Sequence, residues 1–166
     1  MPKRLLERVQ PDSIAEFRRA AIERFNGSRA LALADRRTAA IYLAGYAAEM
    51  TLKAAYFGMI GYPASQTITM ADLRGAKANA VSLGFTWFGN FHDLGSWAQL
   101  VVLTRGSNAA WMYTAAGFDA QVVGHSMRLH RLWSETIRYH KNVAYQHEVN
   151  AATASAHWLL SNSSQI

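Results

Sequence analysis

The segment from Ile41 to Lys53 constrains the fold more than any other part of this sequence. It reads Ile-Tyr-Leu-Ala-Gly-Tyr-Ala-Ala-Glu-Met-Thr-Leu-Lys. At about 100° per residue, one stripe of the predicted helix carries Tyr42, Gly45, Tyr46, Glu49, Leu52 and Lys53. The alanines keep the rest of this helix thin, so other helices can approach it closely. We expect it to lie at the centre of a helical bundle.

Glu49 and Lys53 are spaced i, i+4 in the favourable order, with the acid on the N-terminal side. On a helix surface such a pair contributes about 0.2–0.5 kcal/mol. In a buried stripe it matters more, because each charge then depends on the other for compensation. Two interpretations stay open: a structural ion pair, or the polar part of a binding site.

Length and composition predict one domain over residues 1–166, with a short N-terminal extension over 1–11 and a frayed tail over 161–166. A chain of 166 residues that is 51% hydrophobic can bury about 70% of its unfolded surface. It contains no cysteine, which excludes disulfides, thiolate metal sites and cysteine nucleophiles. We find no apolar signal core after Met1 and no uncharged apolar run of about 18 residues. We therefore expect a soluble cytoplasmic protein that does not bind membranes.

Turn and capping residues divide the chain into helices. Pro11-Asp12-Ser13 with Glu16 predicts the start of a first helix that Asn26-Gly27 interrupts, with a short continuation to Ala34. Its expected buried face is Ile14, Phe17, Ala21, Ile22 and Phe25. Asp35 is the expected cap of a second helix from about Arg36 to Tyr56 or Phe57.

Further helices are predicted from about Thr69 to Leu83, Leu94 to Thr104, Phe118 to Leu132 and Lys141 to Leu160, with a turn or two over Trp111 to Ala116. The segment from Gly84 to Asn90 is short, aromatic and glycine-rich, which favours a packed loop. No stretch alternates long enough to indicate a strand. The predicted fold class is therefore all-α, an up-and-down bundle of four to six helices.

The net charge of +6 favours acidic partners, including RNA or a nucleotide. The N-terminal arginines, however, alternate with Glu16, Glu23 and Asp35, a pattern equally typical of a solvated helix face.

Three groups of residues can carry chemistry: Glu49 with Lys53, His92-Asp93, and Trp133 with Arg138-Tyr139. Each also has a structural explanation, because Asp93 can cap a helix and Trp133 can close the end of the bundle. In the functional alternative, Arg138 and Lys53 hold a phosphate or acidic group that Glu49 and His92 orient. The candidate ligand-binding residues are Glu49, Lys53, His92, Asp93, Arg138 and Tyr139.

No metal or cofactor is expected. His140 and His147 would lie about 10 Å apart along a helix, and His125 and His130 would point about 140° apart, so neither pair suits one ion. The sequence also lacks His-Glu-x-x-His and the glycine-rich fingerprints of nucleotide-binding loops.

Taken together, the helix Tyr42-Leu-Ala-Gly-Tyr-Ala-Ala-Glu-Met-Thr-Leu-Lys53, the His92-Asp93-Leu94 helix start and Trp133 with Arg138-Tyr139 resemble the HEPN-domain family. The resemblance covers about Asp12 to Leu160. It implies a helical bundle, often a homodimer, in prokaryotic toxin–antitoxin or defence systems beside a small nucleotidyltransferase-type partner, with nucleotide binding in some members.

Many HEPN relatives are metal-independent ribonucleases with an arginine followed, after four to six residues, by a histidine. Here Arg138 is followed by His140 after one residue and by His147 after eight. On a regular helix Arg138 and His147 would face apart. We therefore expect a member that binds a nucleotide, an acidic ligand or a partner protein. The alternatives are a ribonuclease toxin that uses Arg138 with His140 or His147, and a purely structural dimer.

Overall fold

The computed structural model describes residues 11–87, 89–107 and 117–166, and these residues form six α-helices and one 3-10 helix. The α-helices are α1 (Ile14–Leu33), α2 (Arg37–Met59), α3 (Met70–Ser82), α4 (Leu94–Gly106), α5 (Phe118–His130) and α6 (Gln146–Ser161). The 3-10 helix spans Glu135–Tyr139. The described residues contain no strand, only an isolated bridge between Ser13 and Thr67. The all-α bundle prediction is confirmed.

Helix α2 lies at the centre, as its alanine-rich sequence predicts. It contacts α1, α4, α5, α6 and the 3-10 helix. Four of its alanines are fully buried: Ala40, Ala44, Ala47 and Ala48. Small side chains let the neighbouring backbones come close, so the core is built around a thin axial helix.

Helix α1 is continuous through Asn26-Gly27, so the predicted interruption is wrong. Gly27 faces α2, where an added Cβ would lie 3.0 Å from Leu43. The Ser28 hydroxyl donates a hydrogen bond to the Ala40 carbonyl at 2.7 Å. Gly27 therefore serves a close approach between helices. The expected burial of Ile22 is also wrong, since this side chain is 57% exposed.

Two predicted helix starts differ in outcome. Asp35 adopts a positive φ of 55° and pairs with Arg37 at 3.0 Å, while Arg36 holds the cap position of α2, so the predicted Asp35 cap is wrong. The predicted start of α3 near Thr69 is confirmed, and a complete capping box between Thr69 and Asp72 marks it. Hydrogen bonds from Thr69 and Tyr62 lower the pKa of Asp72 to about 2.

The last helix begins at Gln146, five residues after the predicted Lys141. The Thr38 hydroxyl accepts hydrogen bonds from the Val143 and Ala144 amides at 2.9 and 3.1 Å. The Asn142 side chain also bonds to the Thr38 amide and the Asp35 carbonyl, so residues 142–144 are held against the start of α2 in a non-helical conformation. Val143, placed on the inner face of that helix by its sequence register, is exposed.

Residues 161–166, predicted to fray, turn back onto α4. The Arg105 guanidinium donates hydrogen bonds to the carbonyls of Gln165 and Ile166, and Ile166 is only 2% exposed. The helical turn predicted over Trp111 to Ala116 and most of the extension 1–11 lie outside the described residues. None of the helices in the described ranges is both long and apolar enough to cross a membrane.

Candidate functional site

The central feature of the site is a buried carboxylate held by two nitrogen donors. Glu49 is 3% exposed and Lys53 is 7% exposed, and the Lys53 ammonium donates to Glu49 Oε1 at 2.5 Å. His92 Nδ1 lies 3.1 and 3.0 Å from the two Glu49 carboxylate oxygens. The Lys53 ammonium also lies 5.5 Å from the centre of the Trp97 ring. We call Glu49, Lys53 and His92 the buried triad.

Local structure places His92 against α2. Asp93 is the N-cap of α4 and accepts a hydrogen bond from the Ser96 amide at 2.6 Å, which confirms the predicted cap. The His92 amide in turn donates to Asn90 Oδ1 at 2.9 Å. The backbone before α4 is therefore fixed, and it presents the imidazole to the polar stripe of α2.

An aromatic cluster packs against one side of the triad. Tyr46 packs edge-on against Tyr42, His92 and Trp133, with ring centroids 4.9, 6.0 and 5.4 Å away. The Trp133 indole N–H donates to the Tyr42 carbonyl at 3.0 Å. A Cβ added to Gly45 would come within 2.2 Å of the Trp133 ring. Gly45 is thus required for Trp133 to seat on α2.

The contacts of the triad set its charge. Hydrogen bonding to Glu49 raises the pKa of His92, against an opposing effect of burial, and the Glu49 charge raises it further. The carboxylate fixes the ring so that Nδ1 carries the proton toward Glu49. When His92 is protonated, the triad holds two cations and one anion. Burial and a hydrogen bond to Tyr42 raise the pKa of Tyr46, which keeps its hydroxyl neutral.

The triad lines a cleft of about 300 Å³. Its walls come from α1, α2, α3 and the segment before α3, and they are largely apolar: Phe17, Met50, Ile68, Met70 and Leu73. Asp12 and Thr69 add polar groups to the lining. The volume is at the lower end for small-molecule sites, and the combination of apolar walls with a few convergent polar groups is typical of them.

Arg138 and Tyr139 lie on the exposed 3-10 helix, apart from the triad. The Arg138 guanidinium donates to the Tyr139 hydroxyl at 2.5 Å and lies 4.6 Å from the centre of its ring. Hydrogen bonds to Tyr42 and Tyr139 raise the pKa of Arg138. Tyr42 precedes Glu49 by seven residues, about 10 Å along α2. The structure thus brings Glu49, Lys53 and His92 together and leaves Arg138 and Tyr139 in a neighbouring surface cluster.

His140 and His147 make separate contacts. His140 lines a surface hollow with His130 and Ile137, and the His147 ring stacks on Tyr145 with centroids 5.7 Å apart. Within the described residues, neither forms a hydrogen bond or ring contact with Arg138. Residues 140–145 are not helical. Arg138 and His147 therefore do not lie on one regular helix, and the helical offset expected between them does not hold.

Sequence reasoning missed most of the cleft wall. The Ile68 amide donates to the Asp12 carbonyl at 2.7 Å and the Ala15 amide to the Ala64 carbonyl at 2.9 Å, which ties the segment before α3 to the start of α1. These pairings join residues about fifty positions apart and have no local sequence signal. The described part of the chain holds no group of three or more metal-ligating side chains arranged to bind an ion.

Comparison with known proteins identifies no relative: no family model, no curated protein and no solved structure matches this chain.

Proposed function

We propose that the chain is a binding module whose cleft takes a small anionic ligand, with a nucleotide as the first class to test. The observation that supports this most directly is the buried triad, where Lys53 and His92 flank one carboxylate at a cleft of about 300 Å³. With His92 protonated, the triad carries one net positive charge beside the Asp12 carboxylate that also lines the cleft, and the imidazolium can donate a hydrogen bond to a phosphate or carboxylate group.

The geometry also assigns roles within this proposal. Lys53 is committed to Glu49 at 2.5 Å, whereas the His92 side chain is 38% exposed and bonds Glu49 through Nδ1 only. His92 Nε2 is therefore the donor we assign to the ligand, with Glu49 and Lys53 holding the ring and its charge in place. Apolar side chains such as Phe17 and Leu73 offer a surface for a base or another flat group.

Isothermal titration with ATP, GTP and inorganic phosphate tests the proposal. Affinity is expected to be full below the raised pKa of His92 and to fall as pH rises through it, so binding at about pH 6 exceeds binding at about pH 8. His92→Gln removes this dependence, and His147→Gln serves as a matched control outside the cleft. No heat and no thermal shift with any of the three probes would overturn the proposal.

The resemblance of the sequence to the HEPN family supports placing this binding role in a toxin–antitoxin or defence system, with a homodimer or a nucleotidyltransferase-type partner. The ribonuclease alternative is tested separately. Total RNA incubated with the protein in the absence of metal is expected to stay intact. Cleavage that Arg138→Ala abolishes would replace the binding proposal with catalysis by Arg138 and His140 or His147.

A further inference from the structure

We propose that the groove between α1 and α6 docks an acidic amphipathic helix from a partner protein. This groove has a volume of about 630 Å³ and shares no lining residue with the ligand cleft. It is therefore a surface separate from the cleft.

The groove is formed by two antiparallel helices. Phe25 of α1 stacks on His157 of α6 with ring centroids 5.6 Å apart, and at the other end Leu33 lies with Gln146. Both helices pack on α2, which leaves the channel between them open outward. From Gln146 to His157 the rise is about 16 Å, or three helical turns. This length and shape suit a third helix lying between the two.

Two exposed apolar side chains lie on one stripe of α1. Leu33, which lines the groove, is 91% exposed, and Ile22, three turns earlier, is 57% exposed and lines an adjoining hollow with Arg18 and Leu160. On α6 the lining is mostly small or uncharged: Val149, Asn150, Thr153 and Ala154. A helix with apolar residues on one face would cover both exposed side chains at once.

The positive charge of this stripe favours a partner that carries acidic residues. The lining of the groove includes Arg29 and no acidic residue. Arg18, one turn before Ile22, extends the same stripe, and neither arginine forms an ion pair among the residues that the structure describes. Glu16 and Glu23 lie about 120° to 140° around α1 from Arg29. Glu148, the only acid of α6, accepts from the Tyr145 amide at 2.7 Å.

A second copy of this chain suits the groove less well. A two-fold interface would place the Arg29 and Arg18 stripe of one copy against the same stripe of the other. Acidic residues flanking the apolar face of a partner helix would instead pair with these arginines. Exposed apolar side chains that alternate along α1 with arginines lacking an ion pair therefore favour a partner helix with acidic residues.

Fluorescence anisotropy with the full chain tests this inference. The probe is a synthetic peptide of about twelve residues with leucines at helical spacing and glutamates on the flanks, and its control carries lysines at the glutamate positions. We expect the acidic peptide to bind at least about tenfold more tightly than the basic one. Arg29→Glu and Leu33→Asp should each weaken it about fivefold or more.

The matched control is Arg24→Glu, an equal charge reversal on the other flank of α1, which should change affinity less than about twofold. Circular dichroism confirms that each variant folds. Absence of acidic-peptide binding, or equal weakening by Arg24→Glu and Arg29→Glu, would overturn the inference. So would light scattering that shows a dimer which Leu33→Asp converts to monomer, because a second copy would then occupy the groove.

Discussion

The buried triad lies around Glu49 of α2, whereas the surface cluster of Arg138 and Tyr139 lies on the 3-10 helix and reaches α2 at Tyr42, about two turns earlier, and the two clusters differ in their surroundings. In the buried triad, Lys53 and His92 share one carboxylate under apolar walls, and Glu49 is 3% exposed. In the surface cluster, Arg138 lies against Tyr139, which is 74% exposed. A charge interaction in the first is little screened by water, whereas the second is solvated. Similar residue types thus give one preorganised site and one adaptable surface.

The largest expected difference between the two clusters is in their contribution to the free energy of unfolding. Glu49→Ala should lower the free energy of unfolding by about 3–5 kcal/mol, because it leaves the Lys53 cation buried without its partner. Arg138→Ala, at a solvated position, should leave the urea midpoint unchanged. Urea denaturation followed by circular dichroism measures both.

The double variant Glu49→Met/Lys53→Met controls for simple loss of packing. Replacing both charges by apolar side chains should recover most of the stability that Glu49→Ala loses. If Glu49→Ala and Arg138→Ala lower the free energy of unfolding equally, Glu49, Lys53 and His92 do not form a buried charge network.

Gly45 allows a test of the contact that lies between the two clusters, the packing of Trp133 on α2. Gly45→Ala should destabilise the protein by about 1–3 kcal/mol, because the new Cβ overlaps the Trp133 ring. Gly75→Ala in α3 is the matched control, since a Cβ there meets nothing within 4 Å. It should instead stabilise by about 0.5–1 kcal/mol through helix propensity. Thermal unfolding of both variants checks the pair, and equal signs would contradict the seating of Trp133 on α2.

A smaller effect is expected in the pH dependence of stability. The pKa of His92 is raised in the folded state, so its contribution is fully present below its unfolded value and is lost as pH rises through the folded one. The stability difference between the wild type and His92→Gln should therefore shrink with increasing pH. Denaturation at a series of pH values measures this, with His147→Gln as control. A difference that grows with pH would place His92 in another environment.

The sequence predicts the local parts of the molecule well. Helix α2, the Thr69–Asp72 box and the Asp93 cap depend on residues within a few positions of one another, so their patterns can be recognised directly. The start of α6 cannot be found in this way, because Thr38, about a hundred residues earlier, holds the Val143 and Ala144 amides.

The same distinction between local and long-range contacts applies to the candidate site. Glu49 with Lys53 follows from helical spacing, and His92 follows from the Asp93 helix start next to it. Their meeting with Phe17 and Ile68 in one cleft depends on the pairing of the segment before α3 with the start of α1. The separation of Arg138 from the triad likewise depends on the 3-10 helix and the seating of Trp133, which no local pattern specifies.

The most direct measurement is the affinity for ATP of His92→Gln and Arg138→Ala, compared with the wild type by isothermal titration at about pH 6, where His92 is largely protonated. If the buried triad is the ligand site, His92→Gln weakens binding about tenfold, the worth of one charge-assisted hydrogen bond, and Arg138→Ala changes it little. Loss of binding in Arg138→Ala with wild-type affinity in His92→Gln would place the site at the surface cluster and contradict the proposal.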